Sequence, residues 1–149
     1  MKKIIITLTL IFLYGCSGYT PIYTSTQNNF YINKVEISDD NKLVRKIIKS
    51  LKPYSIENGK KKVDLKLDIE SQENVIMKDA KGDPASFEIK VILNVEIIFN
   101  NEIKKLNLQE KFTFNNQSNK FELNQYKKNM EITLINRIFE NLIMELRSI

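Results

Sequence analysis

Near the middle of the chain, Phe87, Ile89, Val91, Leu93, Val95, Ile97 and Phe99 place an apolar residue at every odd position. Between them lie Glu88, Lys90, Ile92, Asn94, Glu96 and Ile98. A period of two puts the two sets on opposite faces of a β-strand. Ile92 and Ile98 make the second face partly apolar, which predicts a central strand. Val63, Leu65, Leu67 and Ile69 alternate with Asp64, Lys66, Asp68 and Glu70 in the same way, predicting another half-buried strand.

The remaining elements follow from weaker patterns. Tyr31 to Ile37 alternates imperfectly and reads as a first strand. Ser38, Asp39 and Asp40 supply N-cap candidates for a helix whose apolar positions are Leu43, Val44, Ile47, Ile48 and Leu51, ended by Pro53. Lys81-Gly82-Asp83-Pro84 and Asn100-Asn101 read as turns. Leu106, Leu108, Phe112 and Phe114 form one face of a fourth strand, interrupted by Glu110. Met130, Leu134, Ile138, Leu142 and Leu146 recur every four residues, widened by Ile135, Phe139 and Ile143, as in a helix that packs on a sheet. The order β-α-β-β-β-α predicts a two-layer α+β sandwich, with two helices on one face of a four-stranded sheet. Residues 30–149 form its single domain.

Composition narrows the chemistry. The 149 residues carry 23 Lys and Arg against 18 Asp and Glu, a formal charge of +5, with no His, no Trp and one Cys. The positive surplus is spread along the chain, and only Arg45, Arg137 and Arg147 could grip phosphates bidentately, which argues against nucleic acid. The run Gly59-Lys60-Lys61-Lys62 reads as solvated turn lysines. Without His and with a single Cys, the chain cannot build a His- or Cys-based zinc site or a Ser-His-Asp arrangement. Asp64 and Asp68 lie too far apart along one strand to serve as a catalytic dyad. No phosphate loop, dinucleotide loop or metal loop occurs. The expectation is a binding or structural protein, not an enzyme, with no cofactor and no metal.

The start of the chain is of another kind. Lys2 and Lys3 precede an apolar run from Ile4 to Tyr14, 11 residues long. As a helix it would span about 16 Å, against a bilayer core about 30 Å thick. A basic start, a short apolar run and a small residue before the break have the form of a secretory signal peptide, residues 1–15. Leu13-Tyr14-Gly15-Cys16 resembles the bacterial lipobox, which implies that Cys16 is the lipidation site and the new N-terminus. A thioether-linked diacylglyceryl group with a further acyl chain exceeds what stable anchoring needs. Polar residues follow at once, so a buried structural cysteine is the weaker reading of Cys16. Residues 16–29 read as the lipidated N-terminus and a tether. Ser17, standing where Asp would signal retention at the inner membrane, implies the outer membrane, on its periplasmic side.

Cys16-Ser17-Gly18-Tyr19-Thr20-Pro21-Ile22-Tyr23 resembles the Cys-Gly-Phe/Tyr-x-Pro-Leu-Tyr start of the LPS-assembly lipoproteins, the LptE family, with Ser17 as an extra residue. The element order, Gly82-Asp83-Pro84-Ala85-Ser86-Phe87-Glu88-Ile89 at the second hairpin, and Phe112-Thr113-Phe114-Asn115 before the last helix extend the likeness along the mature chain. The resemblance implies a subunit of the lipopolysaccharide translocon, seated as a plug in an outer-membrane β-barrel partner (LptD-like) and supporting its assembly. It also implies direct contact with lipopolysaccharide. Lysines at a sheet end would suit anionic lipid phosphates, and Lys78 and Lys81 near the hairpin are the candidates; solvated turn lysines are the plainer reading of both. A pilot lipoprotein for a different outer-membrane assembly and a small-ligand-binding envelope lipoprotein are the alternatives.

Overall fold

The computed structural model describes residues 29–57 and 61–149, so the leader, Cys16 and most of the tether lie outside the described residues. Six principal elements follow in the order β1 (Phe30–Ile37), α1 (Lys42–Leu51), β2 (Lys61–Lys78), β3 (Pro84–Phe99), β4 (Glu102–Asn115) and α2 (Lys120–Arg147). A 3-10 turn, Lys52–Tyr54, continues α1. The strands form one sheet in the order β1-β2-β3-β4. β1 runs parallel to β2, as a strand pair joined through a helix permits, and the other two pairs are antiparallel. The two-layer α+β arrangement expected from the pattern is the one observed, and β3 is flanked on both sides.

The imperfect alternation of β1 has a local cause. Its register against β2 slips between Ile32 and Lys34, leaving Asn33 as a bulge residue whose amide donates to Asp64 Oδ1 at 2.7 Å. The start of α1 differs from the expectation. The cap is Asn41, not Ser38, Asp39 or Asp40: Asn41 Oδ1 accepts from the backbone of Leu43 and Val44 at 2.9 and 3.0 Å. Asn41 Nδ2 donates to Ile69 O at 3.0 Å and so ties the helix start to β2. Asp40 instead accepts a two-pronged bond from Arg45, both contacts 2.7 Å, which holds its carboxyl below the ordinary aspartate range. Pro53 ends the α-helix but sits inside the 3-10 turn, near its start, where a missing N–H costs little.

Asn100 and Asn101 both have positive φ, 51° and 65°, and Phe99 pairs directly with Glu102. This is the two-residue hairpin loop that matches strand twist, and asparagine tolerates its left-handed backbone better than most residues. The odd positions of β2 and β3 and the even positions of β4 face the helices. Val63, Leu65, Leu67, Val91, Leu93, Val95 and Ile97 are fully covered, packed with Val44, Ile47 and Leu51 of α1 and Leu134, Ile135, Ile138 and Leu142 of α2. Glu110 falls on this inner face among Leu108 and Phe112; it is half-buried and accepts from Asn141 Nδ2 of α2 at 3.3 Å.

Candidate functional site

Among the described residues, two surfaces carry polar chemistry in an organised form: the bare face of the sheet and the far end of the β2–β3 hairpin. The bare face is built by cross-strand register. Lys66, Glu96 and Lys105 stand side by side on β2, β3 and β4. Glu96 meets Lys105 at 2.9 Å and Lys66 at 3.9 Å. The hydrogen bond from Lys105, and after it the charge of that ammonium, hold the Glu96 carboxyl below the ordinary glutamate range. In the next row Asn107 Nδ2 donates to Asn94 Oδ1 at 2.7 Å, and nearer the hairpin Lys111 pairs with Glu88 at 3.3 Å. Exposed pairs of this kind add at most about 1 kcal/mol each. Their organisation leaves the uncovered face of the sheet predominantly polar and close to charge-balanced.

The hairpin end has a different character. β1 pairs with β2 only as far as Leu67, so the outer edge of β2 runs on without a strand partner to Lys78. Val75, Ile76 and Met77 are exposed there, Met77 at 60%. The register shifts between Val75 and Met77, and Ile76 is the extra residue of a bulge. The turn beyond is closed by Asp79, whose Oδ1 accepts from the backbone of Lys81 and Asp83, both at 2.9 Å. Gly82 supplies the one residue with φ of +89° that this turn needs. Lys78 and Lys81 are both exposed at this tip, beside the three apolar side chains. Asp79 and Asp83 share the same turn, so the tip has two charges of each sign and its cationic character is local.

Beneath the hairpin lies an aromatic cluster that periodicity alone did not reveal. Phe87 stacks on Phe114 with ring centres 5.6 Å apart, and Tyr126 meets Phe112 and Phe114 edge-on at 6.1 and 6.0 Å. Lys127 of α2 lies over Phe87 at 4.6 Å and Phe114 at 5.7 Å, and its ammonium bonds Glu73. Its side chain is only 19% exposed. A lysine at a core-facing helix position hides the apolar stripe, which explains why α2 begins ten residues before Met130, the first stripe residue legible in the sequence. The consecutive apolar run Val75-Ile76-Met77 was the legible signal for the tip, because strict alternation cannot bury three neighbours.

Asp64 and Asp68 lie on the bare face about 13 Å apart along β2, and Asp64 is engaged by Asn33. Among the described residues there is no group of three or more Asp, Glu, Cys or His placed to hold a metal ion, and no helix long and apolar enough to cross a membrane. The buried hydroxyl of Ser86 is satisfied by Asn115 Oδ1 at 2.8 Å. Cys16 lies outside the described residues.

No protein-family model matches the chain, and no curated protein sequence matches it. Solved structures do. A lipoprotein B from Nitrosomonas europaea shares 6% identity over 88% of this chain and 91% of its own, with a TM-score of 0.63. The rare lipoprotein B from Shewanella oneidensis is 13% identical over 76% of this chain and 96% of its own, TM-score 0.57. A minor lipoprotein from Acinetobacter baumannii is 10% identical over 81% and 94% respectively, TM-score 0.57. At these identities the likeness is one of fold, and it takes in nearly the whole of each of these chains.

Proposed function

We propose that the chain is a lipid-anchored outer-membrane lipoprotein that serves, without catalysis of its own, as the lipoprotein subunit of the lipopolysaccharide translocon. It would sit within a β-barrel partner and support that barrel's assembly. The observation that carries this reading is the coincidence of two independent signals. Leu13-Tyr14-Gly15-Cys16 has the form of a lipobox, and the domain that follows has the fold of proteins known as lipoproteins from three other bacteria.

The surfaces fit the role physically. A large barrel encloses a polar lumen, and the bare sheet face presents paired charges and amides with few apolar side chains. Lipopolysaccharide is an anion with acyl chains. The tip combines Lys78 and Lys81 with exposed Val75, Ile76 and Met77, a pairing suited to a phosphate beside a hydrocarbon surface. Capture through this chain after mild detergent extraction is expected to bring down a barrel of several hundred residues, and depletion is expected to lower surface lipopolysaccharide. A monomer with no companion, together with unchanged surface lipopolysaccharide, overturns the assignment. Loss of some other outer-membrane assembly on depletion would instead identify a pilot lipoprotein. Within the role, Lys78→Glu with Lys81→Glu should weaken lipopolysaccharide binding severalfold and reduce the loss of affinity on adding salt, while leaving barrel capture intact.

A further inference from the structure

Along α2, Asn136, Phe139, Glu140, Ile143 and Met144 fall on one helical stripe beside the core stripe, and with Tyr54 they line an open groove of about 580 Å³. Met144 is 60% exposed there, and Ile56, two residues beyond Tyr54, is 68% exposed. Large apolar side chains in a groove call for a cover. The groove lies close to where the chain enters the fold: Phe30 stacks on Tyr54 at 5.8 Å, and Tyr54 meets Phe139 edge-on at 6.2 Å. Asn29, which opens the described structure, is held by the backbone of Lys61.

We propose that the segment Gly18-Tyr19-Thr20-Pro21-Ile22-Tyr23 occupies this groove and fastens the domain directly behind its N-terminus. The dimensions agree. From Asn136 to Arg147 the helix rises about 16 Å, and six extended residues span about 20 Å. The five residues Thr24 to Asn28 add a reach of about 17 Å, enough to join the seated segment to Asn29. The chemistry agrees as well. Tyr19, Pro21, Ile22 and Tyr23 are the apolar and aromatic members of an otherwise polar stretch of Ser, Thr, Gln and Asn. Tyrosine can bury its ring on Phe139 and Ile143 while its hydroxyl reaches Asn136, Glu140 or Arg147, which also line the groove. A proline disfavours helical backbone in the residue before it and presents no N–H to an apolar wall, so the sequence Thr20-Pro21 suits an extended seat. A second copy of the chain is the poorer occupant, because one helical stripe about 16 Å long falls well short of the roughly 800 Å² per partner that a stable interface buries.

Seating this segment alters the anchor. An undocked link of residues 17–29 could reach about 45 Å, whereas the docked one leaves only Ser17 between Cys16 and the groove. The hairpin tip, 17 residues along β2 from Lys61, then stands about 55 Å away at the opposite end of the sheet. Docking is independent of which assembly the domain serves, so its failure and the failure of the translocon assignment are separable.

The test uses the full chain in its native membrane with p-benzoyl-phenylalanine in place of Tyr23. The expected product is an intramolecular cross-link to the α2 peptide containing Met144. Cross-links only to a second copy, recognised by mixing isotopically labelled and unlabelled protein, only to another protein, or to no α2 peptide overturn the proposal. As a second measurement, Met144→Glu leaves the core untouched and is expected to speed chymotryptic cleavage after Tyr19 and Tyr23 about tenfold, equivalent to about 1.4 kcal/mol of docking. Equal cleavage rates in the two proteins also overturn it.

Discussion

Glu96 stands between two lysines from neighbouring strands, and that position makes it a useful reporter of the bare face. Its carboxyl titrates below an ordinary glutamate because Lys105 donates to the charged form and attracts it. The sign follows from linkage. A lowered folded value gives a contribution that is present above the unfolded glutamate value and is lost as pH falls through the folded one. Carbon-detected NMR titration should therefore find the Glu96 midpoint below that of a free glutamate, and Lys105→Ala should return it towards that value; an unchanged midpoint in the variant would refute the pairing. In the core the controlling term is packing. Ile138 is fully covered between the helices and the sheet. Ile138→Ala should cost about 2–5 kcal/mol, read as a lower urea midpoint with an unchanged slope. Lys127 shows why some core-facing positions escape recognition by type, since a half-buried cation over two phenylalanine rings and bonded to Glu73 is a satisfied group.

Each element owes its limits to a few side chains whose role depends on their partners. Asn41 caps α1 and also grips Ile69 O, so Asn41→Ala should cost at least the roughly 1 kcal/mol of an N-cap and speed hydrogen exchange in the first turn of the helix. Ser38, Asp39 and Asp40, the candidates read from the sequence, are cap-forming residue types as Asn41 is, and only the position of the first helical turn over β2 selects Asn41. At the β3–β4 turn, Asn101 has φ of 65°. Asn101→Val places a branched side chain in left-handed backbone and should lower the melting temperature by several degrees, corresponding to about 1–2 kcal/mol, whereas Asn101→Gly should not lower it. The edge strand β4 carries Lys104, Lys105 and Lys111, charges that discourage pairing with another chain. On the other side, β2 beyond Leu67 has no neighbour strand along its outer edge, and its apolar residues Val75 to Met77 rely on a bulge and the charges of the adjoining turn for that protection.

For the whole molecule, a sheet covered on one face only divides the labour: the helices complete the core, and the opposite face and the hairpin tip stay exposed. If lipidation at Cys16 fastens this body to the membrane, Cys16→Ser should leave an uncleaved or soluble chain, and unaltered membrane fractionation of that variant would contradict the anchor. Alternation and helical spacing determine the element order and the buried faces by themselves, because period two and period 3.6 are properties of the local backbone. The beginning of α2, the cap of α1 and the bulge at Asn33 escaped those periods, since each depends on a partner distant in sequence: the aromatic cluster for Lys127, Ile69 for Asn41, Asp64 for Asn33. The same holds for the surfaces. Lys78 and Lys81 were legible as turn lysines, but their setting beside an exposed apolar tip, the row of Lys66, Glu96 and Lys105, and the groove under Tyr54 arise from strand register and helix placement. Those are decided by which faces meet when the core closes, a many-body matter of packing to which no single stretch of the chain holds the answer.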